Sequence, residues 1–200
     1  MQHCCVSAGN NMTFSETLTG KRLTLRQTHP TLEMAEAIFN AVDSCREHLR
    51  PFCPWEKNDD SVKSVMNYLE TKEPHVEAGD RVEYGIFITE TGQYIGNIQV
   101  FNISKTNRSG EFGYWLTESA TGKGYMKEAV LILEKYCFED LGMHRIQITC
   151  DALNEASAKV IRTCGYTYEG TLREDMYDEY RDKLRDTLMF SKLKREYEKT

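Results

Sequence analysis

The sequence has no surplus of positive charge: 25 lysines and arginines stand against 31 aspartates and glutamates, a formal net charge of −6. That balance argues against a general nucleic-acid binder and is compatible with a cationic substrate. No apolar run approaches the ~20 residues of a membrane-spanning helix. The N-terminus lacks the basic-then-apolar order of a signal peptide. Histidine is scarce, and His3, His29, His48, His75 and His144 form no pair at a metal-ligand spacing. The seven cysteines are odd in number and scattered, which fits reduced thiols in a cytoplasm and not a disulfide framework. Repeats, linkers and low-complexity segments are absent as well. What is present, 200 residues at 40% apolar content, can bury one sizeable core, so a single domain is expected.

Residues 1–11 carry no period and read as a tail, leaving residues 12–200 as the domain, with Met12 a candidate start. Residues 22–26 alternate as a strand. Residues 31–44 place Leu32, Ala35, Ile38, Phe39 and Val42 at helical spacing, with Thr31 as N-cap. A break follows, in which Pro51 and Pro54 bracket Phe52; Phe52 reads as a core plug, Trp55 either as a plug or as the wall of a substrate groove. Residues 61–73 read as a second helix that Pro74 ends. Strands are expected at 83–89, 94–103 and 111–116, the first two joined by a turn at Glu90-Thr91-Gly92-Gln93. A helix starting at Gly124 leads to a strand at 145–150, a strand–helix–strand unit that implies parallel strands and a right-handed crossover. Asn154 caps a short helix that Gly165 ends. Strands at 166–172 and 183–191, joined by a polar link over 173–182, complete the sheet. The order β-α-α-β-β-β-α-β-α-β-β predicts one α/β (α+β) domain, with a mixed sheet of about seven strands and flanking helices.

The stretch most suggestive of chemistry is Thr121-Gly122-Lys123-Gly124-Tyr125-Met126, between the aromatic strand and the helix. A glycine-rich turn there exposes backbone N–H groups at the positive end of a helix dipole, which suits phosphate oxygens. A P-loop spacing is not present, and the dinucleotide fingerprint fails at Lys127.

Three stretches in order carry a family resemblance. They are Glu111-Phe112-Gly113-Tyr114-Trp115-Leu116 with the glycine turn, Asn154 to Arg162 leading into Gly165-Tyr166, and Leu18 to Arg26. Together they resemble the GCN5-related N-acetyltransferases (GNAT), in detail the RimJ/RimL branch of ribosomal-protein N-terminal acetyltransferases, over residues 20–196. The resemblance implies the acyl-CoA N-acyltransferase fold and acetyl-CoA as cofactor. It places the pyrophosphate on the N–H groups of Gly122, Lys123, Gly124, Tyr125 and Met126, and the pantetheine arm along Leu116 and Thr117. Asn154 and Ser157 would face the cofactor, and Arg162 would either reach a phosphate or line the helix surface. The chain departs from the family's Gln/Arg-x-x-Gly-x-Gly/Ala pattern at Thr121 and Met126. That departure keeps a non-catalytic acyl-CoA sensor as an alternative.

Direct attack of an amine on the thioester requires a base, oxyanion donors and a proton for the departing thiolate. The resemblance implies the Leu116 N–H as oxyanion donor. A tyrosine acid seven residues after the cofactor asparagine is missing, because Ile161 stands there, and Ser157 is the substitute. Glu111 leads as base; Glu174 and Asp175 come second and Glu83 third, and Trp55, Glu111, Glu174 and Asp175 are the expected acceptor-side residues. Branch resemblance points to a protein or peptide α-amine as acceptor. A polyamine or an antibiotic-like small amine is the alternative, and a homodimer is left open.

Overall fold

The computed structural model describes residues 13–199; the expected tail at 1–11, with Cys4, Cys5 and Met12, lies outside the described residues. The chain runs β1 (Thr17–Thr19), β2 (Leu23–Gln27), α1 (Leu32–Asp43), α2 (Arg46–Leu49), α3 (Val62–Ala78), β3 (Val82–Ile88), β4 (Tyr94–Ser104), β5 (Ser109–Leu116), α4 (Tyr125–Lys135), β6 (Arg145–Asp151), α5 (Glu155–Thr163), β7 (Thr167–Asp178), β8 (Lys183–Leu193) and α6 (Lys194–Tyr197). The strands form one sheet in the order β1-β2-β3-β4-β5-β6-β8-β7. Among the described residues only β5 and β6 pair in parallel, as the helical crossover between them requires. The sheet has eight strands where about seven were expected. The extra one, β1, is a three-residue edge strand, too short to show a period.

Strand alternation divides the apolar residues between two layers. Tyr84, Ile86, Ile98, Val100, Phe112, Ile146 and Ile148 pack with Ala129, Val130 and Leu133 of α4 and Ile161 of α5 on one face. Ala35, Ile38 and Val42 of α1 and Val65 and Leu69 of α3 pack on the other, together with Tyr94 and Trp115. Each fully buried aliphatic or aromatic side chain contributes about 1.5–3 kcal/mol of transfer free energy. The sheet is therefore held between helices on both faces, and strand ends become the places where a site can open. No helix among the described residues is long and apolar enough to cross a membrane.

Two expectations need correction. Pro74 does not end α3, which continues to Ala78. Pro74 is exposed, and so is Glu70, whose carbonyl loses the donor that proline lacks. The helix instead ends at Gly79, left-handed at φ 72. There Gly79 N–H donates to the Val76 carbonyl at 3.0 Å and Asp80 N–H to the His75 carbonyl at 3.2 Å, the double closure that a glycine at this position permits. Nor is 173–182 a loose polar link. Strand β7 runs to Asp178 and pairs with β8 through Asp178↔Lys183, with an irregularity between Leu172 and Met176. The segment showed no alternation because β7 is an edge strand exposed over most of its length.

A buried ion pair ties the last strand to the crossover helix. Lys192 Nζ donates to Glu134 Oε1 at 2.9 Å and to the Cys164 carbonyl at 2.5 Å, joining β8 to α4 and the end of α5. Burial raises the Glu134 carboxyl, and Lys192 offsets part of that rise. Lys192→Met should cost about 3–5 kcal/mol, because it strands a buried carboxylate. Without the lysine, Glu134 titrates still higher in the folded than in the unfolded chain. The stability deficit should therefore be largest above the folded pKa and shrink as the pH falls through it. Urea denaturation of both proteins across acidic to neutral pH reads this out; a pH-independent deficit would contradict it.

Candidate functional site

Strands β5 and β6 pair only from Ser109/Arg145 to Phe112/Ile148. Beyond that point β5 stays with β4 as far as Leu116↔Gly96, and β6 stays with β8 as far as Asp151↔Thr187. The sheet splays, and a cavity of about 200 Å³ opens, lined among others by Tyr114, Cys150, Asp151, Asn154, Ser157 and Arg185. Thr117 N–H donates to the Ile95 carbonyl at 2.9 Å. Peptide groups alternate sides along a strand. Those of Tyr114 and Leu116 therefore face the side that β6 has left. Both backbone groups of Thr117 are engaged, since its carbonyl accepts from Ala120 N–H at 3.0 Å. Of the two residues expected to meet an extended arm, Leu116 presents free backbone and Thr117 does not.

At the far end of β5 lies the glycine turn. Gly122 and Gly124 adopt left-handed φ values of 72 and 77. Helices α1, α3 and α5 are each capped by a side chain, from Thr31, Ser61 and Asn154. Helix α4 has Gly124 at its N-cap and no side-chain cap bond, so its first N–H groups are left for a ligand. Met126, the departure at the last pattern position, is buried in the core. Tyr125 lies under the Arg22 guanidinium, 4.8 Å from ring centroid to Cζ. Arg22 Nη1 donates to the Lys123 carbonyl at 3.1 Å, and Arg22 Nε donates to Glu128 Oε2 at 2.7 Å. Burial alone would raise the Glu128 carboxyl, but the bonds and charge of Arg22 hold it below the usual range. The Lys123 side chain is exposed. Sequence reasoning missed Arg22, which supplies a cation beside a turn whose own first position, Thr121, has none.

The second segment meets the cleft from the other side. Asn154 Oδ1 accepts from Ser157 N–H at 3.0 Å, so Asn154 is the cap of α5 as well as part of the cavity wall. Ser157 Oγ lies 3.0 Å from the Tyr114 hydroxyl. A tyrosine thus reaches the cleft from β5, although the helix position seven residues after Asn154 is Ile161, fully buried in the core. Burial pushes the Tyr114 phenol up and the Ser157 hydroxyl pulls it partly back, so it stays protonated through the neutral range. Arg162 stacks over Phe190 at 5.4 Å and lines a separate depression with Ala152, Lys159 and Leu188, away from the glycine turn.

The candidate carboxylates are dispersed. Glu111 sits at the root of the splay, half-buried, accepting from Thr149 Oγ1 at 2.8 Å and Gln147 Nε2 at 2.9 Å. It is not part of the cavity wall, but Thr149 is. Glu83 is buried under α3, where it accepts from Tyr68 OH at 2.8 Å and from Asn97 Nδ2. Burial, then the nearby Glu83, pushes the Asp59 carboxyl up to about 6. Glu174 and Asp175 are exposed in the irregular part of β7, outside the cavity wall. The carboxylate in that wall is Asp151, which the sequence reading did not name. It accepts from Arg185 Nη1 at 2.8 Å and lies 3.8 Å from Arg181 Nη1.

In the proline-bracketed segment Phe52 departs from its expected place in the core, and Trp55 takes the plug role that was one of the two left open for it. Phe52 lines the cavity under Arg181, 5.2 Å from ring centroid to guanidinium, whereas Trp55 packs against Trp115 at 5.5 Å and joins the α1–α3 cluster. Arg181 Nη1 also donates to the Pro51 carbonyl at 3.0 Å. The β7–β8 hairpin is thereby joined to this segment across the mouth of the cleft.

A family model described as "Acetyltransferase (GNAT) domain" matches residues 22–167. Among curated proteins the chain is 31% identical to the uncharacterized N-acetyltransferase p20 of Bacillus licheniformis, over 91% of this chain and 98% of that one. It is 31% identical to the ribosomal-protein-serine acetyltransferase of Escherichia coli, over 74% of this chain and 92% of that one. It is also 27% identical to the spermidine N(1)-acetyltransferase of Escherichia coli, over 63% and 74%. Among solved structures, a RimL ribosomal α-N-protein acetyltransferase in complex with coenzyme A superposes with a TM-score of 0.82 at 22% identity, covering 89% of this chain and 98% of its own.

Proposed function

Because the chain belongs to the GNAT acetyltransferase family and is an acetyl-CoA-dependent N-acetyltransferase, we propose that it acetylates the free α-amine of a protein or peptide. The observation that carries this reading is the splay after Phe112/Ile148, which leaves a cleft walled by Asn154 and Ser157 in line with an uncapped glycine turn. The N–H groups from Gly122 to Met126 and the Arg22 guanidinium suit a pyrophosphate, and the free peptide groups of Tyr114 and Leu116 suit an extended amide-bearing arm. Bound acetyl-CoA supplies an activated acetyl thioester; this chain's residues supply the rest.

In this reading the Leu116 N–H stabilises the negative charge that develops on the attacked carbonyl oxygen. As the C–N bond forms and the C–S bond breaks, the Tyr114 hydroxyl, bonded to Ser157, gives its proton to the departing sulfur and takes back the second proton that the acylated nitrogen sheds. The ammonium gives a proton to Thr149 Oγ1 as Thr149 passes its own to Glu111. An α-amine titrates near ~8 and a polyamine amine near ~10, so an α-amine asks less of a carboxylate that works through a relay. Similarity to the ribosomal-protein-serine acetyltransferase supports a protein acceptor, with fuller coverage than similarity to the spermidine enzyme.

Three variants separate these roles. Gly124→Val adds about 1–2 kcal/mol of left-handed strain and a side chain where phosphate must approach. Calorimetry should show acetyl-CoA affinity at least ~10-fold weaker, with melting temperature tracked alongside; equal affinity in a folded variant moves the phosphate site elsewhere. Tyr114→Phe should lower kcat about a hundredfold with acetyl-CoA affinity unchanged, whereas an unaltered kcat assigns the proton to Ser157 alone. Glu111→Gln should lower kcat on a peptide with a free N-terminus and remove the enzyme's acid limb from the kcat–pH profile. A profile identical to that of the original protein would reassign the base.

A further inference from the structure

The wall of the cleft holds a buried donor to which none of the assigned residues is bonded. Arg185, on β8, lines the cavity. Its Nη1 donates to Asp151 Oδ2 at 2.8 Å and its Nη2 lies 3.7 Å from Met176 Sδ. Its Nε–H is buried and finds no acceptor among the described residues. A buried donor without a partner is unfavourable, and a substrate that completes it is favoured over one that cannot. Arg81 Nε is a second orphan of this kind, but Arg81 lies under α3, where it bonds Gln99, and not in the cleft.

The charges around Arg185 point the same way. Asp151 is the single carboxylate in the cavity wall, with a side chain 1% exposed, and it faces two guanidinium groups, those of Arg185 and Arg181. A cationic acceptor finds no uncommitted carboxylate there. A polyamine in its protonated form has only N–H donors, so it would leave Arg185 Nε unsatisfied and set cation against cation. An acceptor with a carbonyl on the carbon next to its amine satisfies the donor and adds no further charge.

We propose that Arg185 determines acceptor specificity by donating its Nε–H to the first carbonyl of the acceptor, which makes the substrate class an α-aminoacyl compound such as a peptide N-terminus. This rests on the acceptor entering the β5–β6 cleft, as proposed above.

The test uses the full chain, acetyl-CoA and initial rates of CoA release with three acceptors. These are a short peptide with a free N-terminus, the same peptide with a trans-alkene replacing its first amide, and spermidine. The peptide should exceed each of the others in kcat/KM by about ten- to a hundredfold, the range for a hydrogen bond to a charged group. Arg185→Lys keeps a cation beside Asp151 but removes the secondary donor. It should bring peptide and alkene isostere to near parity while acetyl-CoA affinity is unchanged. The double variant Asp151→Asn/Arg185→Met, which leaves no buried charge unpaired, should do the same and covers misfolding of the single variant. Equal use of peptide and isostere by the original protein, or a preference that survives both variants, overturns the role of Arg185 and leaves the peptide acceptor standing. Turnover of spermidine alone, or of no acceptor, overturns both.

Discussion

Parallel strands β5 and β6 share four residue pairs and then part, and the position of that parting sets the rest of the site. A strand peptide that loses its neighbour leaves an N–H and a C=O without partners, which is costly unless solvent or a ligand takes them. Each strand here keeps a partner on its outer side, β4 for β5 and β8 for β6, so only the inner groups are released. The two packed layers keep the gap from closing: Tyr114 and Cys150 belong to the side of α4 and α5, while Trp115 is fixed against Trp55 and Tyr94 on the other. Within the interior of the sheet, between its edge strands β1 and β7, the fold therefore leaves backbone unpaired where β5 and β6 part, and β5 runs on from there toward the start of α4.

The start of α4 follows a related logic. Thr31, Ser61 and Asn154 cap the longer helices α1, α3 and α5 with side chains, whereas the four-residue α2 and α6 have no such cap. At α4 two left-handed glycines take the cap's place, and Arg22, just before β2, braces the turn by bonding its carbonyl side. The brace leaves the N–H side clear. Glu128 holds Arg22 in position and neutralises part of its charge, so the potential beside the turn is set by one ion pair and one aromatic ring as well as by the helix terminus.

What could be read in the sequence was local chemistry. Thr31, Asn154 and Gly165 act within a few residues of themselves, and their roles as cap and terminator were legible, as were the strand–turn–helix order around Gly122 and Gly124 and the single parallel pair. The family resemblance was carried by the same short stretches. What stayed hidden depends on distant partners. Arg22 meets the turn across 101 positions, Tyr114 meets Ser157 across 43, and Asp151 meets Arg185 across 34. No periodicity announces such pairs, because a strand pattern tells which face a residue shares but not which strand arrives beside it. Pro74 misled for a different reason: a proline's cost depends on whether the carbonyl it deprives is buried, and exposure is a property of the folded chain.

The dispersal of the acidic candidates also follows from placement. Carboxylates in a protein of net charge −6 are common, so sequence position alone could not choose among them. Folding sorts them by their donors. Glu83 is taken up by Tyr68 and Asn97 inside the α3 layer, Asp151 by two arginines in the wall of the cleft, and Glu111 by a glutamine and a threonine at its root. Neither Glu83 nor its partners Tyr68 and Asn97 line the cleft, and the charge of Asp151 is taken up by its arginines. Glu111 keeps both: its partners are neutral, and one of them, Thr149, carries a hydroxyl into the cavity wall. A neutral hydroxyl can accept a proton from one side while releasing its own to the other, whereas a guanidinium cannot. That difference in partners, rather than proximity alone, is what favours Glu111 over Glu83 and Asp151 in the proton relay we propose.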